Sequence, residues 1–176
     1  RVWVSSFNGE IRVMDVNGKP VATEADFPFK EKCLGLMGIG VAPNGDVWIA
    51  DGSDNQLLFF PGGQIKAGKI VKPAGLVSPF DIVIDSQNRI WVVETFHVGI
   101  GVRALALDSK ENVWVASNMD LKMPLPVLPA NASIMQQFKI ITDAMVKYIE
   151  GPPARITGQV NMIRPDGTQP APQGFT

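Results

Sequence analysis

Four tryptophans recur in near-identical settings, and their spacing constrains the fold of this chain more than any other feature. They lie in Val2-Trp3-Val4, Val47-Trp48-Ile49, Ile90-Trp91-Val92 and Val113-Trp114-Val115. A short β-branched run around an aromatic ring has the composition of a strand buried on both faces. Polar turns at 42–46, 85–89 and 108–112 precede three of the four. A second apolar run stands before each turn, at 38–41, 81–84 and 104–107. After the Trp-strand the pattern predicts another strand and turn. These are 10–15 before 16–20, 56–60 before 61–63, and 159–164 before 165–168. The Asn-Gly and Asp-Gly pairs in these turns tolerate the positive φ that tight hairpins need.

The repeat therefore reads as four antiparallel strands, which is one blade of a β-propeller. Trp3 to Trp48 is 45 residues and Trp48 to Trp91 is 43. Four short strands with tight connections need roughly 40–45. Trp91 to Trp114 is only 23, which leaves room for two strands. A half-blade would leave strand edges open within the ring. The expectation is that roughly 20 residues are missing after Trp91 relative to its neighbours, by the blade length above. The whole chain, 1–176, then reads as a partial propeller domain, all-β apart from one helical insertion.

That insertion is placed by the opposite error in spacing. Trp3 to Gly18 and Trp48 to Gly63 are each 15 residues, whereas Trp114 to Gly167 is 53. Residues 119–158 carry the excess. Pro124, Pro126 and Pro129 predict an extended lead-in. Ser133 and Gln136 read as a capping box opening a helix over 133–150. Ile134, Phe138, Ile141, Met145 and Tyr148/Ile149 fall on one face. That stripe packs the helix on the propeller, or makes it a lid over the tunnel mouth or a docking element for a partner.

Charge and cysteine usage narrow the function classes. Sixteen basic against 17 acidic residues leave a net charge of −1. Such a balance gives no electrostatic reason to bind nucleic acid, and no aromatic surface with interleaved basic residues is present. No apolar run reaches 18 residues, so no transmembrane segment is predicted. Cys33 is alone and can form neither an internal disulfide nor a CxxC site. It reads as a buried, inert thiol. Nucleophile-elbow, phosphate-loop and zinc patterns are absent.

Residues 38–51, 81–94 and 104–117 are similar to NHL repeats. They most resemble bacterial propellers of the streptogramin lyase type, within the wider gluconolactonase-like group. The resemblance spans all but the helical insertion and its flanks. It implies a six-bladed ring, a site at one mouth of the central tunnel, and export to the periplasm or the extracellular space. In gluconolactonase-like relatives it also implies a divalent cation, calcium or magnesium, held by oxygen ligands.

Two sets of positions can supply chemistry. Ten and eleven residues before each Trp stand Met37 and Gly38, Phe80 and Asp81, and Arg103 and Ala104. Asp81 and Arg103 interrupt apolar segments, so they can bind a polar substrate or pair with each other. Three residues after each Trp stand Ser6, Asp51, Glu94 and Ser117, with Asn118 next. Such groups either fix the following turn or join a cation site, for which Asp81, Glu94 and Asn118 are the right types. His97 is the only histidine and can form an acid–base pair with Glu94. Two functions stay open: a propeller that binds a protein or small molecule, or a metal-dependent lyase or lactonase.

Overall fold

A computed structural model describes residues 1–22, 26–29, 33–94, 102–117, 126–129, 132–149, 159–171 and 175. It is mostly β, with one helix. The N-terminal sheet holds β1 (Val2–Ser5), β2 (Ile11–Met14) and β3 (Pro20–Ala22). A four-stranded sheet follows, with β4 (Leu36–Val41), β5 (Val47–Asp51), β6 (Gln56–Phe60) and β7 (Lys69–Val71). Next come β8 (Pro79–Ile84) and β9 (Ile90–Glu94), which pair as a two-stranded sheet. The C-terminal sheet holds β10 (Val102–Leu107), β11 (Val113–Ser117) and β12 (Gln159–Ile163). Every pairing is antiparallel between consecutive strands. The helix α1 (Ile134–Ile149) lies between β11 and β12.

The apolar core fills the spaces between successive sheets, and this explains why the Trp-strands carry no polar face. Val47, Ile49, Leu58 and Phe60 of the four-stranded sheet pack toward Trp3 and Ile11. Ala50 and Leu57, on the opposite face, pack with Ile82, Ile90 and Val92. Trp91 and Val93 turn the other way, onto Val113, Val115, Leu105 and Ile163. Side chains alternate along a strand, so each Trp-strand supplies one residue set to the sheet before it and one to the sheet after. Ile49, Leu58 and Phe60 are fully buried, each contributing about 1.5–3 kcal/mol on burial.

Two glycines set how closely β4 and β8 approach. A Cβ on Gly38 would lie 2.6 Å from Asp81 Cα, and one on Gly40 would lie 2.7 Å from Ile82 Cγ2. An added Cβ would force backbone to shift at the first contact and side chains at the second. The first strands of the three later repeats consequently lie side by side, β4 against β8 and β8 against β10.

The turns share one hydrogen-bond scheme. Ala42, Asp85 and Asp108 each donate their amide to the carbonyl four residues on and accept from the amide three residues on. That third residue has positive φ: Gly45 at 89°, Asn88 at 59° and Glu111 at 62°. In two of these turns the leading aspartate also holds the tryptophan. Asp85 Oδ2 accepts from Trp91 Nε1 at 3.0 Å, and Asp108 Oδ2 accepts from Trp114 Nε1 at 3.0 Å. Trp48 has Ala42 at the equivalent place and instead stacks on Phe59, 4.2 Å between centroids. These hydrogen bonds hold the Asp108 carboxyl well below the usual carboxylate range. For Asp85, burial pushes upward, but the bonds from Trp91, Arg89 and Gln87 outweigh it and lower the pKa.

The connection after β6 differs from the tight turn expected at Pro61, Gly62 and Gly63. Those residues form a short 3₁₀ turn, and a second follows at Ile65–Ala67 before β7. Pro61 opens the first turn, and Gly62 and Gly63, at φ 55° and 65°, carry the chain through it. The helix opens with the expected capping box. Gln136 N donates to Ser133 Oγ at 3.3 Å, and Ser133 N donates to Gln136 Oε1 at 2.8 Å. Among the described residues, no helix is long and apolar enough to cross a membrane.

Candidate functional site

The first strands of three sheets are each interrupted by an extra residue near their start. Register shifts fall between Leu36 and Ile39 in β4, between Pro79 and Asp81 in β8, and between Val102 and Ala104 in β10. These bulges contain Met37, Gly38, Phe80 and Arg103, positions singled out by their spacing from the tryptophans. A bulge bends its strand and re-aims the side chains beside it. Because β4, β8 and β10 are neighbours, the three bulges come to one end of the stacked sheets.

Hydrogen bonds link that end from sheet to sheet. Ser5 Oγ donates to Met37 O at 2.7 Å, tying β1 to the first bulge. Gly35 N donates to Phe7 O at 2.7 Å, and Gly52 N donates to Gly35 O at 3.1 Å. Asp81 then spans β8 and β10. Its Oδ1 accepts from Ile82 N at 2.9 Å and its Oδ2 from Leu105 N at 2.8 Å. Replacing Asp81 with alanine leaves the Leu105 amide without its acceptor and is expected to cost about 1–3 kcal/mol. Asparagine, which keeps one acceptor oxygen, should cost less. Denaturant melts of both variants, with amide exchange at Leu105, measure this.

The loops at this end are held in demanding conformations. Asn55 and Ser78 have φ of 52° and 46°, in the left-handed region that non-glycine residues seldom enter. Asn55 Oδ1 accepts from Ser78 N at 2.7 Å, and Glu94 Oε1 accepts from Val77 N at 2.8 Å. Two side chains thus fix the loop before β8. The helix reaches the same end. Phe138 of α1 meets Phe7 edge-on, 5.5 Å between centroids and 89° between planes. Phe138 remains about half exposed, so the helix rests on the rim without being sunk into it.

Asp51, at the Trp48 position equivalent to Glu94, is turned inward and fully buried. Gln56 Nε2 donates to its Oδ2 at 2.8 Å and reaches Cys33 Sγ at 4.0 Å. Burial pushes the Asp51 carboxyl above its ordinary value. Burial, with the Asp51 charge beside it, pushes the Cys33 thiol up to about 12. The folded state therefore binds a proton at Asp51 more readily than the unfolded chain does. Its charged form costs stability at neutral pH, and that cost disappears as pH falls through the folded pKa toward the ordinary carboxylate value. Asp51→Asn should be more stable than the parent at pH 7. The difference should shrink by pH 4, as read by denaturant melts at both pH values.

The sequence candidates are only partly brought together. Asp81 and Glu94 lie on paired strands, where Asp81 faces Val93 and Glu94 faces Pro79. Their described bonds run apart, Asp81 toward β10 and Glu94 toward the loop before β8. Arg103 lies in the bulge of β10 by its backbone; its side chain, and all of His97 and Asn118, lie outside the described residues. Among the described residues, no three His, Cys, Asp or Glu side chains are placed to share a metal ion. The roles of Ser5, Asn55 and Ser78 had no signal in the sequence, because their partners come from other sheets. No protein-family model matches the chain, and a search of curated proteins finds no significant match.

Proposed function

We propose that the four sheets are blades of a β-propeller of the NHL-like kind, and that the chain is a binding module. Recognition takes place at the bulged ends of β4, β8 and β10. The observation that carries this reading is the coincidence of three bulges on three neighbouring first strands. The repeat spacing and the resemblance to NHL repeats support it. The preformed loops at 52–55 and 76–78 suit a surface that selects a shape, because little ordering remains to be done on binding. The described bonds of Asp81 and Glu94 to backbone amides favour a structural use of both carboxylates over catalysis. The expected partner is a protein or small molecule, with α1 beside the rim as a lid or docking element. Export to the periplasm or extracellular space rests on the resemblance alone.

Selection of a random peptide library on the folded chain tests this reading. Binders should perturb the amides at 35–37, 52–55 and 77–81. Binders that map only to the far ends of the sheets would overturn it. The same spectra with calcium or magnesium ions address the lyase or lactonase alternative. Shifts confined to the surroundings of Asp81 and Glu94 would favour that alternative.

A further inference from the structure

The turns contain three Asn-Gly pairs, Asn8-Gly9, Asn17-Gly18 and Asn44-Gly45. Asparagine is a thermally labile residue. Ahead of glycine its carboxamide lies within reach of the next backbone nitrogen, and glycine has no Cβ to hinder a five-membered ring. Ring closure needs two freedoms. The carboxamide must bring its Cγ onto that nitrogen, and the glycine backbone must follow.

The three pairs share one restraint. Gly9 N donates to Ser6 O at 2.9 Å, Gly18 N to Asp15 O at 3.1 Å and Gly45 N to Ala42 O at 2.9 Å. They differ in everything else. Asn44 is held at both ends of its carboxamide: Nδ2 donates to Asp46 Oδ2 at 2.9 Å, and Oδ1 accepts from Asp46 N at 3.0 Å. Asp46 is itself fixed, because its Oδ1 accepts from Gly62 N at 2.7 Å. Asn8 Oδ1 accepts from Glu10 N at 3.4 Å. A Cβ on Gly9 would strike the Cys33 carbonyl oxygen, so that glycine is packed against its neighbour. Asn17 is exposed, and among the described residues nothing bonds its carboxamide. A Cβ on Gly18 would meet nothing within 4 Å. Of the three pairs, Asn17-Gly18 alone has both freedoms.

We propose that Asn17 is a site of covalent modification, where attack by the Gly18 nitrogen expels the side-chain nitrogen and remakes the turn between β2 and β3. The Gly18 N–Cγ bond forms as the Cγ–Nδ2 bond breaks. The Gly18 amide proton leaves with the carboxamide nitrogen as ammonia. Water then opens the ring, and nothing is oxidised or reduced. Addition at Cγ gives aspartate. Addition at the main-chain carbonyl gives isoaspartate, whose main chain runs through Cβ and Cγ and is one carbon longer. The turn as it stands closes entirely on Asp15. Its Oδ1 accepts from Asn17 N at 2.8 Å and from Lys19 N at 2.9 Å. Its O accepts from Gly18 N, and its N donates to Lys19 O at 2.9 Å. The longer chain cannot keep all of these bonds, and it carries a new negative charge two residues from Asp15. β3 is held to β2 only at Val13↔Ala22 and Met14↔Pro20, so this hairpin end loosens. The inference does not depend on the rim being a binding site.

The test incubates the whole chain in mildly alkaline buffer, with a parallel sample unfolded in urea. Digests taken over time are read by mass spectrometry for asparagine, aspartate and isoaspartate at each pair. In the folded chain Asn17 should convert first. Asn44 should convert about tenfold more slowly, the factor expected where weak side-chain hydrogen bonds must first break. In urea the rates at the three pairs should converge. In the converted fraction the Lys19 amide should lose protection from exchange while the Asp46 amide keeps it. First conversion at Asn8 or Asn44 in the folded chain would overturn the proposal. So would the same ranking and ratios in urea, because local sequence and not the fold would then set them. Unchanged Lys19 protection in the converted fraction would overturn the remaking of the turn.

Discussion

Replacing Asp85 with alanine is expected to destabilise the chain by about 3 kcal/mol, near the lower end for breaking a buried ion pair. Asp85 is 1% exposed and accepts four hydrogen bonds. Oδ1 closes the turn through the amides of Gln87 and Arg89, at 3.0 and 2.9 Å. Oδ2 accepts from Arg89 Nε at 2.6 Å and Trp91 Nε1 at 3.0 Å. Alanine leaves the indole N–H without its partner. It also frees Arg89, whose Nη1 reaches Pro165 O at 2.8 Å in the turn after β12. Among the described residues Arg89 Nη2 has no hydrogen-bond partner, so the guanidinium would keep the Pro165 bond and its place over the Trp91 ring. The Arg89 side chain is 38% exposed, and solvent there moderates the loss.

The melting temperature should fall by roughly 10 °C for a chain of this size. Asparagine keeps an acceptor for the turn and should lose less. The acid response should change as well. Because the folded-state pKa of Asp85 is lowered, its contribution is present above the ordinary carboxylate pKa and is lost as pH falls through the folded value. The parent should therefore lose this stability below about pH 4, and Asp85→Ala should lack that component. Equal stability of parent and variant at pH 7 would contradict the assigned role.

The second large effect comes from a single methyl group. Glycine within a strand ordinarily costs about 0.5–1 kcal/mol relative to alanine. Gly38→Ala would therefore stabilise an isolated strand. Here the new Cβ would meet Asp81 Cα at 2.6 Å and Ile82 N at 3.0 Å. Both are backbone atoms, which cannot rotate aside. β8 must move, and the link from Asp81 to Leu105 N moves with it. The expected cost is about 3 kcal/mol, at the upper end of ordinary overpacking. Gly40→Ala meets side-chain atoms of Ile82 and Ile84 and should cost less. A stabilised Gly38→Ala variant in denaturant melts would show that β4 and β8 stand farther apart.

The strands were legible because the repeat states them three or four times. The four Trp-strands, the three predicted runs before them and the three predicted strands after them each coincide with an element of the structure. The capping box at Ser133 and Gln136 was equally plain, because it is local. Side-chain contacts that depend on the folded geometry were harder to read. Asp85 and Asp108 were visible as turn residues, yet their bonds to Trp91 and Trp114 depend on the hairpin bringing residues six apart face to face. The bulges fall at the positions ten and eleven residues before the tryptophans, but no composition marks a bulge at Phe80 or Arg103. Short β3 and β7 carried too little pattern to be recognised. Ser78, at φ 46°, is held through its amide by Asn55, 23 residues away, a partner that no local pattern announces.

β4, β8 and β10 stand side by side and bring their bulges to one end of the sheets. Proton–proton nuclear Overhauser spectra of the labelled chain test it most directly. Strong cross-peaks are expected between the Gly38 and Asp81 α-protons and between the Gly40 α-protons and the Ile82 γ2-methyl. The Leu105 amide shift is also expected to move on Asp81→Asn substitution. Absence of these cross-peaks while the β4–β5 and β8–β9 pairings remain visible would contradict it. The sheets would then fold without meeting at a common site.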